Sequence, residues 1–147
     1  GGGMPLGATI ATERAFEGWT LGSHASTFGG NPLASRAANT VLQVIEREDL
    51  CENVRERGAQ LRDGLDQLAE TYSVIEDVRG RGLMVGAECR EGASSIMDHC
   101  IDQGLLVNTA GKNTLRFVPP LIAAKSDVSE ALNRLESALE AWQADNE

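Results

Sequence analysis

The sequence predicts an α+β fold, in which an antiparallel sheet carries helices on one face. Three observations predict it. Apolar residues recur at helical spacing along two long segments in the first half of the chain. Strand-like runs on both sides of Gly80-Arg81-Gly82 are typical of an antiparallel hairpin. A third apolar stripe, from Val128 to Trp142, predicts a final helix that packs on the sheet.

Length and charge limit the classes of protein that fit. The chain has 147 residues, the size of one ordinary domain, and a net charge of −9. Because phosphate binding needs clustered lysine and arginine, this acidic balance argues against a nucleic-acid partner. No run of 18 apolar residues and no signal peptide is present, so we expect no membrane partner and a cytoplasmic protein.

The first half predicts a strand, a loop and a helix. Residues 6–11 are small and apolar, which favours a buried strand, although residues 12–70 supply no strand to pair with it. A loop follows at about residues 20–31. Asn31 is a natural N-cap and Pro32 suits a first helical turn, so we predict a helix from there to about Arg47.

The second half alternates helices and strands. We predict helices at residues 50–72 and 94–103, hairpin strands at 74–79 and 83–88, two short strands at 105–108 and 114–118, and a last helix beginning at Ser126. Ser126 is the expected N-cap of that helix, and Asp127 suits its first turn because of the helix dipole.

The cysteines and histidines predict neither a disulfide framework nor a metal site. The three cysteines are odd in number and form no C-x-x-C pair, so we expect buried or half-buried reduced thiols at Cys51, Cys89 and Cys100. His24 and His99 have no partner at ligand spacing, and no metal is expected.

The stretch GSHASTFGGNPL, residues 22–33, has the composition of an anion site. Ser26 and Thr27 offer hydroxyl donors, the glycines allow close approach of the backbone, and a helix N-terminus follows. Two interpretations stay open at this stage. The loop either contacts a phosphate or carboxylate, or it is a capped loop without a ligand.

Arg116 lies in the apolar run LRFVPPLI, where an unpaired buried guanidinium would be costly. It either pairs with a carboxylate of the chain itself or receives the carboxylate of a ligand, which it can bind with two parallel hydrogen bonds. From the residues alone, the internal pair is the safer expectation.

Four motifs together resemble the class III, ornithine-type aminotransferases, which use pyridoxal phosphate and have fold type I. The motifs are GGGMPLGA at residues 1–8, GSHASTFGGNPLA at 22–34, VRGRGLMVGAE at 78–88 and LRFVPPLI at 115–122. They occur in the family's order and cover essentially the whole chain. Among relatives, the acetylornithine and ornithine aminotransferases look most similar.

The resemblance implies an architecture and a site. Residues 1–47 would be the last strand, loop and linking helix of the large cofactor-binding domain, and residues 48–147 the C-terminal small domain. Thr27 would donate its hydroxyl to the phosphate of pyridoxal 5'-phosphate held by the neighbouring subunit of a homodimer with a shared active site. Ser26 would lie near the same site and contact substrate, and Arg116 would bind the substrate's α-carboxylate.

The resemblance also implies a missing catalytic group. The lysine that forms the Schiff base with the cofactor precedes the glycine run in relatives, so it is expected upstream of Gly1, and neither Lys112 nor Lys125 matches it. No catalytic residue is therefore expected in this chain, which would be the inactive C-terminal portion of a longer enzyme.

The implied activity belongs to that longer enzyme. It would move the terminal amino group of an N-acetylornithine-like or ornithine-like donor to 2-oxoglutarate, a step of arginine biosynthesis. The alternatives are another class III aminotransferase, acting on 4-aminobutyrate or succinylornithine, and a non-catalytic homologous domain used for oligomerisation or binding.

Overall fold

A computed structural model describes residues 1–146 and divides the chain into two compact units, Gly1–Asp49 and a second that begins at Leu50. Within the described residues, no helix is long and apolar enough to cross a lipid bilayer.

The first unit contains a short helix, α1 (Glu13–Phe16), and a long one, α2 (Pro32–Arg47). The side chain of Asn31 accepts a hydrogen bond from the Ala34 N–H at 2.9 Å, and Pro32 occupies the first turn. The predicted helix, its N-cap and its proline are therefore confirmed.

The predicted strand at residues 6–11 is wrong. These residues belong to no strand, and all but one of them are exposed despite their apolar composition. A strand needs neighbours for its N–H and C=O groups, and none of the described residues 1–49 forms one. Composition alone therefore does not make this segment a strand.

The second unit is built on a four-stranded sheet. Its strands are β1 (Ile75–Arg81), β2 (Met84–Cys89), β3 (Asn108–Ala110) and β4 (Thr114–Phe117). The strand order is β1-β2-β4-β3, and every neighbouring pair is antiparallel. Three helices accompany it: α3 (Leu50–Thr71), α4 (Ala93–Asp102) and α5 (Lys125–Asn146). The predicted α+β fold is confirmed.

One face of the sheet forms the core with the helices. Alternate strand residues point into it, and each helix adds an apolar stripe. The fully buried large side chains are Leu65, Val85, Cys89, Ile96, Cys100, Leu115, Leu135 and Leu139. Burying one such aliphatic side chain contributes about 1.5–3 kcal/mol, so this cluster is the main source of stability in the unit.

The first strand of the hairpin ends two residues later than predicted, and the second begins one residue later. Arg81 pairs with Met84, which makes Gly82 and Leu83 the turn, and Gly82 has a positive φ of 56°. Leu83 is buried rather than solvent-facing. Helix α3 passes close to this turn at Gly58, where an added Cβ would collide with the backbone carbonyl of Gly82.

Two further boundaries differ from prediction. Strand β3 runs from Asn108 to Ala110 and shares only Asn108 with the predicted strand at residues 105–108, because the residues that pair with β4 are Asn108, Thr109 and Ala110. Helix α5 begins at Lys125, so Ser126 lies inside the first turn and is not the N-cap. Asp127 instead accepts a hydrogen bond from the Ala124 N–H at 2.8 Å.

The three thiols differ in exposure. Cys89 and Cys100 are buried, as predicted, and burial raises the pKa of each thiol to about 11. Both are therefore protonated and unreactive at neutral pH. Cys51 is exposed near the start of α3, so its predicted burial is wrong: the apolar stripe of that helix does not include it.

Candidate functional site

Hydrogen bonds between residues three positions apart hold the loop before α2. The hydroxyl of Ser26 accepts from the Gly29 N–H at 3.0 Å, and the Asn31 side chain donates to the Phe28 carbonyl at 2.9 Å. A Cβ added at Gly29 would stand 2.9 Å from the Ser26 side chain, so a larger residue there would require that side chain to move.

Two hydroxyls are presented side by side in this loop. Ser26 and Thr27 are both exposed, and Ser26 accepts a hydrogen bond yet keeps its own proton to donate. The loop therefore offers two adjacent hydroxyl donors, the chemistry predicted for an anion site.

The N-terminus of α2 contributes less than its position predicts. Pro32 has no N–H, the Ala34 N–H bonds to the Asn31 side chain, and the Ser35 N–H bonds to the Asn31 carbonyl at 3.0 Å. The Ser35 bond is the first of the helix itself, so two of the four N-terminal positions without an intrahelical partner, Pro32 and Ala34, offer no N–H to a ligand. The hydroxyls of Ser26 and Thr27 are therefore donors beside a helix end that is partly closed.

Arg116 lies on the face of the sheet opposite the core. Its neighbours Leu115 and Phe117 are buried, whereas Arg116 is exposed and opposite Gly86 of β2 on one side and Asn108 of β3 on the other. Among the described residues 1–146, no hydrogen bond or ion pair involves its side chain. The expected internal pair is therefore wrong, because strand alternation removes the burial that would have required it.

An ion-pair network occupies the same face. Arg79 donates from Nη2 to Glu88 Oε2 at 2.7 Å and from Nη1 to Asp77 Oδ2 at 3.1 Å. The Thr114 hydroxyl donates to the same Oε2 of Glu88 at 2.5 Å. These two hydrogen bonds, that of Thr114 first and that of Arg79 second, hold the pKa of Glu88 below its ordinary value.

The predicted site residues fall into two groups. Ser26 and Thr27 are neighbours in one loop of the first unit, and Arg116 belongs to the second unit. Each group presents polar groups to solvent, hydroxyls in one case and a guanidinium in the other. The first can donate to a phosphate or carboxylate, and the second can bind a carboxylate with two parallel hydrogen bonds.

Sequence reasoning missed two features of the second unit. The first is the link among Arg79, Glu88 and Thr114. Strand alternation and the β1–β2 hairpin indicate the contact between Arg79 and Glu88, whereas the contact between Glu88 and Thr114 requires β4 to lie beside β2. The second is Asn53 of α3, whose side-chain amide donates to the carbonyls of Leu121 at 2.7 Å and Ala123 at 3.1 Å. That contact fixes the segment after β4 and has no local signal in the sequence.

Comparison with known proteins defines the class. The family model described as aminotransferase class-III matches residues 1–139. The chain therefore belongs to the class III aminotransferases, as the four motifs predicted.

Two relatives from within this family have the same name. The chain is 44% identical over 140 residues to acetylornithine aminotransferase of Caldanaerobacter subterraneus subsp. tengcongensis, covering 95% of this chain and 35% of that protein. It is 51% identical over 138 residues to acetylornithine aminotransferase of Gloeobacter violaceus, covering 92% of this chain and 34% of that protein. The chain thus spans about a third of the length of the curated relatives that it matches.

Solved structures agree with the assignment. N-acetylornithine aminotransferase from Stenotrophomonas maltophilia superposes with a TM-score of 0.74 at 40% identity, covering 80% of this chain and 33% of that one. Ornithine aminotransferase from Toxoplasma gondii superposes with a TM-score of 0.78 at 31% identity, covering 86% and 31%.

Proposed function

We propose that this chain is the C-terminal part of an aminotransferase that moves the terminal amino group of an N-acetylornithine-like or ornithine-like donor to 2-oxoglutarate. The observation that carries the proposal is the guanidinium of Arg116, which is exposed and has no partner among residues 1–146, in a chain whose relatives are named acetylornithine aminotransferases. Both proposed substrates bring a carboxylate, which is the ligand that an arginine binds best.

The cofactor of the longer enzyme would be pyridoxal phosphate. It supplies the carbonyl group that accepts the amino group and a ring that withdraws electrons during the transfer. An amine transaminase from an uncultivated Pseudomonas species, solved in its PLP-bound form, superposes on this chain with a TM-score of 0.76 at 32% identity. The donor chemistry of the loop fits the phosphate, because Ser26 and Thr27 present adjacent hydroxyls.

Each residue has a separate proposed role. Thr27 donates its hydroxyl to the cofactor phosphate, which in a homodimer is held by the neighbouring subunit. Ser26, whose hydroxyl is already oriented by the Gly29 N–H, contacts substrate beside it. Arg116 holds the α-carboxylate and so orients the opposite, amino end of the donor for transfer.

The lysine that bonds to the cofactor would come from sequence outside these 147 residues. The two lysines of the chain are Lys112, in the turn between β3 and β4, and Lys125, at the start of α5. Both are exposed in the second unit, away in sequence from the hydroxyl loop. We propose that the chain alone does not turn over, and that residues 1–47 and 48–147 belong to different domains of the longer enzyme.

Substitutions in the longer enzyme test both roles. Arg116→Ala is expected to raise KM for both carboxylate substrates by about 10- to 100-fold, the factor that a charge-assisted hydrogen bond contributes. Thr27→Ala is expected to weaken pyridoxal phosphate retention in equilibrium dialysis by about 2- to 10-fold. Arg62→Ala and Thr9→Ala, at exposed positions, are the matched controls.

A substrate panel tests the donor. N-acetylornithine is expected to give the highest kcat/KM, ahead of ornithine, succinylornithine and 4-aminobutyrate. A preference for 4-aminobutyrate would overturn the donor assignment and leave the aminotransferase class intact. An unchanged KM in Arg116→Ala would overturn the role of that arginine.

A further inference from the structure

Arg116 has an acidic neighbour on its own face of the sheet. Gly86 lies opposite Arg116, and Glu88 lies opposite Thr114, so Glu88 and Arg116 are diagonal partners on adjacent strands. Such diagonal positions are about 7–8 Å apart, within reach of two long side chains. An exposed arginine and glutamate in this arrangement would be expected to pair.

The Glu88 carboxylate is instead held between Arg79 of β1 and Thr114 of β4. Its Oε2 accepts from Arg79 at 2.7 Å and from Thr114 at 2.5 Å. Arg79 is fixed in turn by its second hydrogen bond, to Asp77. Glu88, the acidic residue nearest to Arg116 along the sheet, therefore makes its hydrogen bonds with Arg79 and Thr114 and not with Arg116.

The methyl group of Thr114 lies beside Gly86, between the positions of Glu88 and Arg116. Gly86 occupies the position opposite Arg116, and a Cβ added there would stand 2.9 Å from Thr114 Cγ2. Gly86 itself contributes no side chain to this face, and the hydrogen bonds of Arg79 and Thr114 hold the Glu88 carboxylate where it lies.

We propose that Arg79 is a positioning residue that holds the Glu88 carboxylate off Arg116 and so keeps the Arg116 guanidinium available to a substrate carboxylate. The inference rests on the proposed role of Arg116 as the substrate's carboxylate ligand. A carboxylate tethered two residues along a neighbouring strand has a high effective concentration, so its release would compete with substrate. The competition would lower apparent affinity by the fraction of Arg116 that is occupied.

A titration of Glu88 in the 147-residue chain tests the contact without cofactor or activity. The carboxyl pKa is read by side-chain ¹³C NMR, and the charged groups facing it are Asp77 and Arg79 on β1 and Arg116 on β4. In Arg79→Ala the carboxylate keeps only the hydrogen bond from Thr114 and is expected to pair with Arg116, which is on the same strand as Thr114, so adding Arg116→Ala should raise the pKa of Glu88 further. In the wild-type background, Arg116→Ala should change it little. Equal pKa values in Arg79→Ala and in the double variant would overturn the inference.

Kinetics in the longer enzyme test the consequence. Arg79→Ala is expected to raise KM for the carboxylate substrates about two- to fivefold, the range that an exposed ion pair supports, with kcat unchanged. Arg79→Ala/Glu88→Gln should restore KM, because the competing charge is gone. A double variant as impaired as Arg79→Ala would mean that Arg79 acts only on the fold.

The two proposals fail in different ways. If Arg116→Ala leaves KM unchanged, the substrate role of Arg116 is wrong, although the NMR titration would still report its contact with Glu88. If Arg116→Ala raises KM and the titration shows no coupling, only the positioning role of Arg79 is wrong.

Discussion

The two units of the chain differ in how far their apolar residues are buried. In the second unit, leucines from α3, β4 and α5 are fully buried in one cluster. In the first unit, Ile10 and Leu21 are almost fully exposed. The difference lies in partners, because the strands of the second unit pair with one another and carry helices, whereas residues 6–11 have no strand to join among residues 1–49. An apolar run acquires structure only when other elements cover it.

The largest expected effect comes from the buried cluster. Leu65→Ala should lower the free energy of unfolding of the second unit by about 2–5 kcal/mol, because it removes a fully buried side chain and leaves a cavity. Leu21→Ala is the matched control in the first unit and should change stability by less than about 0.5 kcal/mol. Urea denaturation followed by circular dichroism measures both, and a similar loss in the two variants would contradict the contrast.

The next-largest expected effect on stability is at Gly58, which packs against Gly82. Gly58→Ala places a methyl group against the Gly82 carbonyl and should destabilise by about 1–3 kcal/mol, even though alanine favours helix. Gly18→Ala is the control, since nothing lies within 4 Å of the added Cβ there. If Gly58→Ala were stabilising in urea denaturation, helix α3 would not be packed against the hairpin turn as described.

Removal of a helix cap is expected to have the smallest effect on stability, and it distinguishes the two units most clearly. Asn31→Ala and Asp127→Ala each remove a side-chain hydrogen bond at a helix N-terminus, worth about 1 kcal/mol. Asp127→Ala should lower the global stability of the second unit, because α5 belongs to its core. Asn31→Ala should instead speed hydrogen exchange at the Ala34 amide and leave the global denaturation midpoint unchanged. Equal midpoint shifts would mean that the regions unfold together.

The sequence was most informative where a signal is local. The N-cap at Asn31, the proline after it and the apolar stripe of α3 depend on neighbours within one or two helical turns, and each was predicted correctly. Ser126 shows the limit of such signals, because Asp127 caps the same helix from a position three residues after Ala124. Helix α5 begins one residue before Ser126, so Ser126 is not its N-cap, and propensity alone does not fix the residue at which a helix begins.

The site was less predictable than the fold. The apolar neighbours of Arg116 suggested burial, yet in a strand they are the reason that it faces the other way. The adjacency of Ser26 and Thr27 is given by the sequence itself. The contacts of Glu88, by contrast, depend on β4 lying beside β2, and that strand order comes from long-range packing rather than from a motif.

The segment after β4 is held in place by one side-chain amide, that of Asn53. Its nitrogen serves two carbonyl oxygens, those of Leu121 and Ala123, at the exit of the strand that carries Arg116. Deamidation during ageing would replace that donor with a carboxylate and set negative charge against both carbonyls. A change of a single functional group on α3 would then release a stretch of chain nearly seventy positions further on.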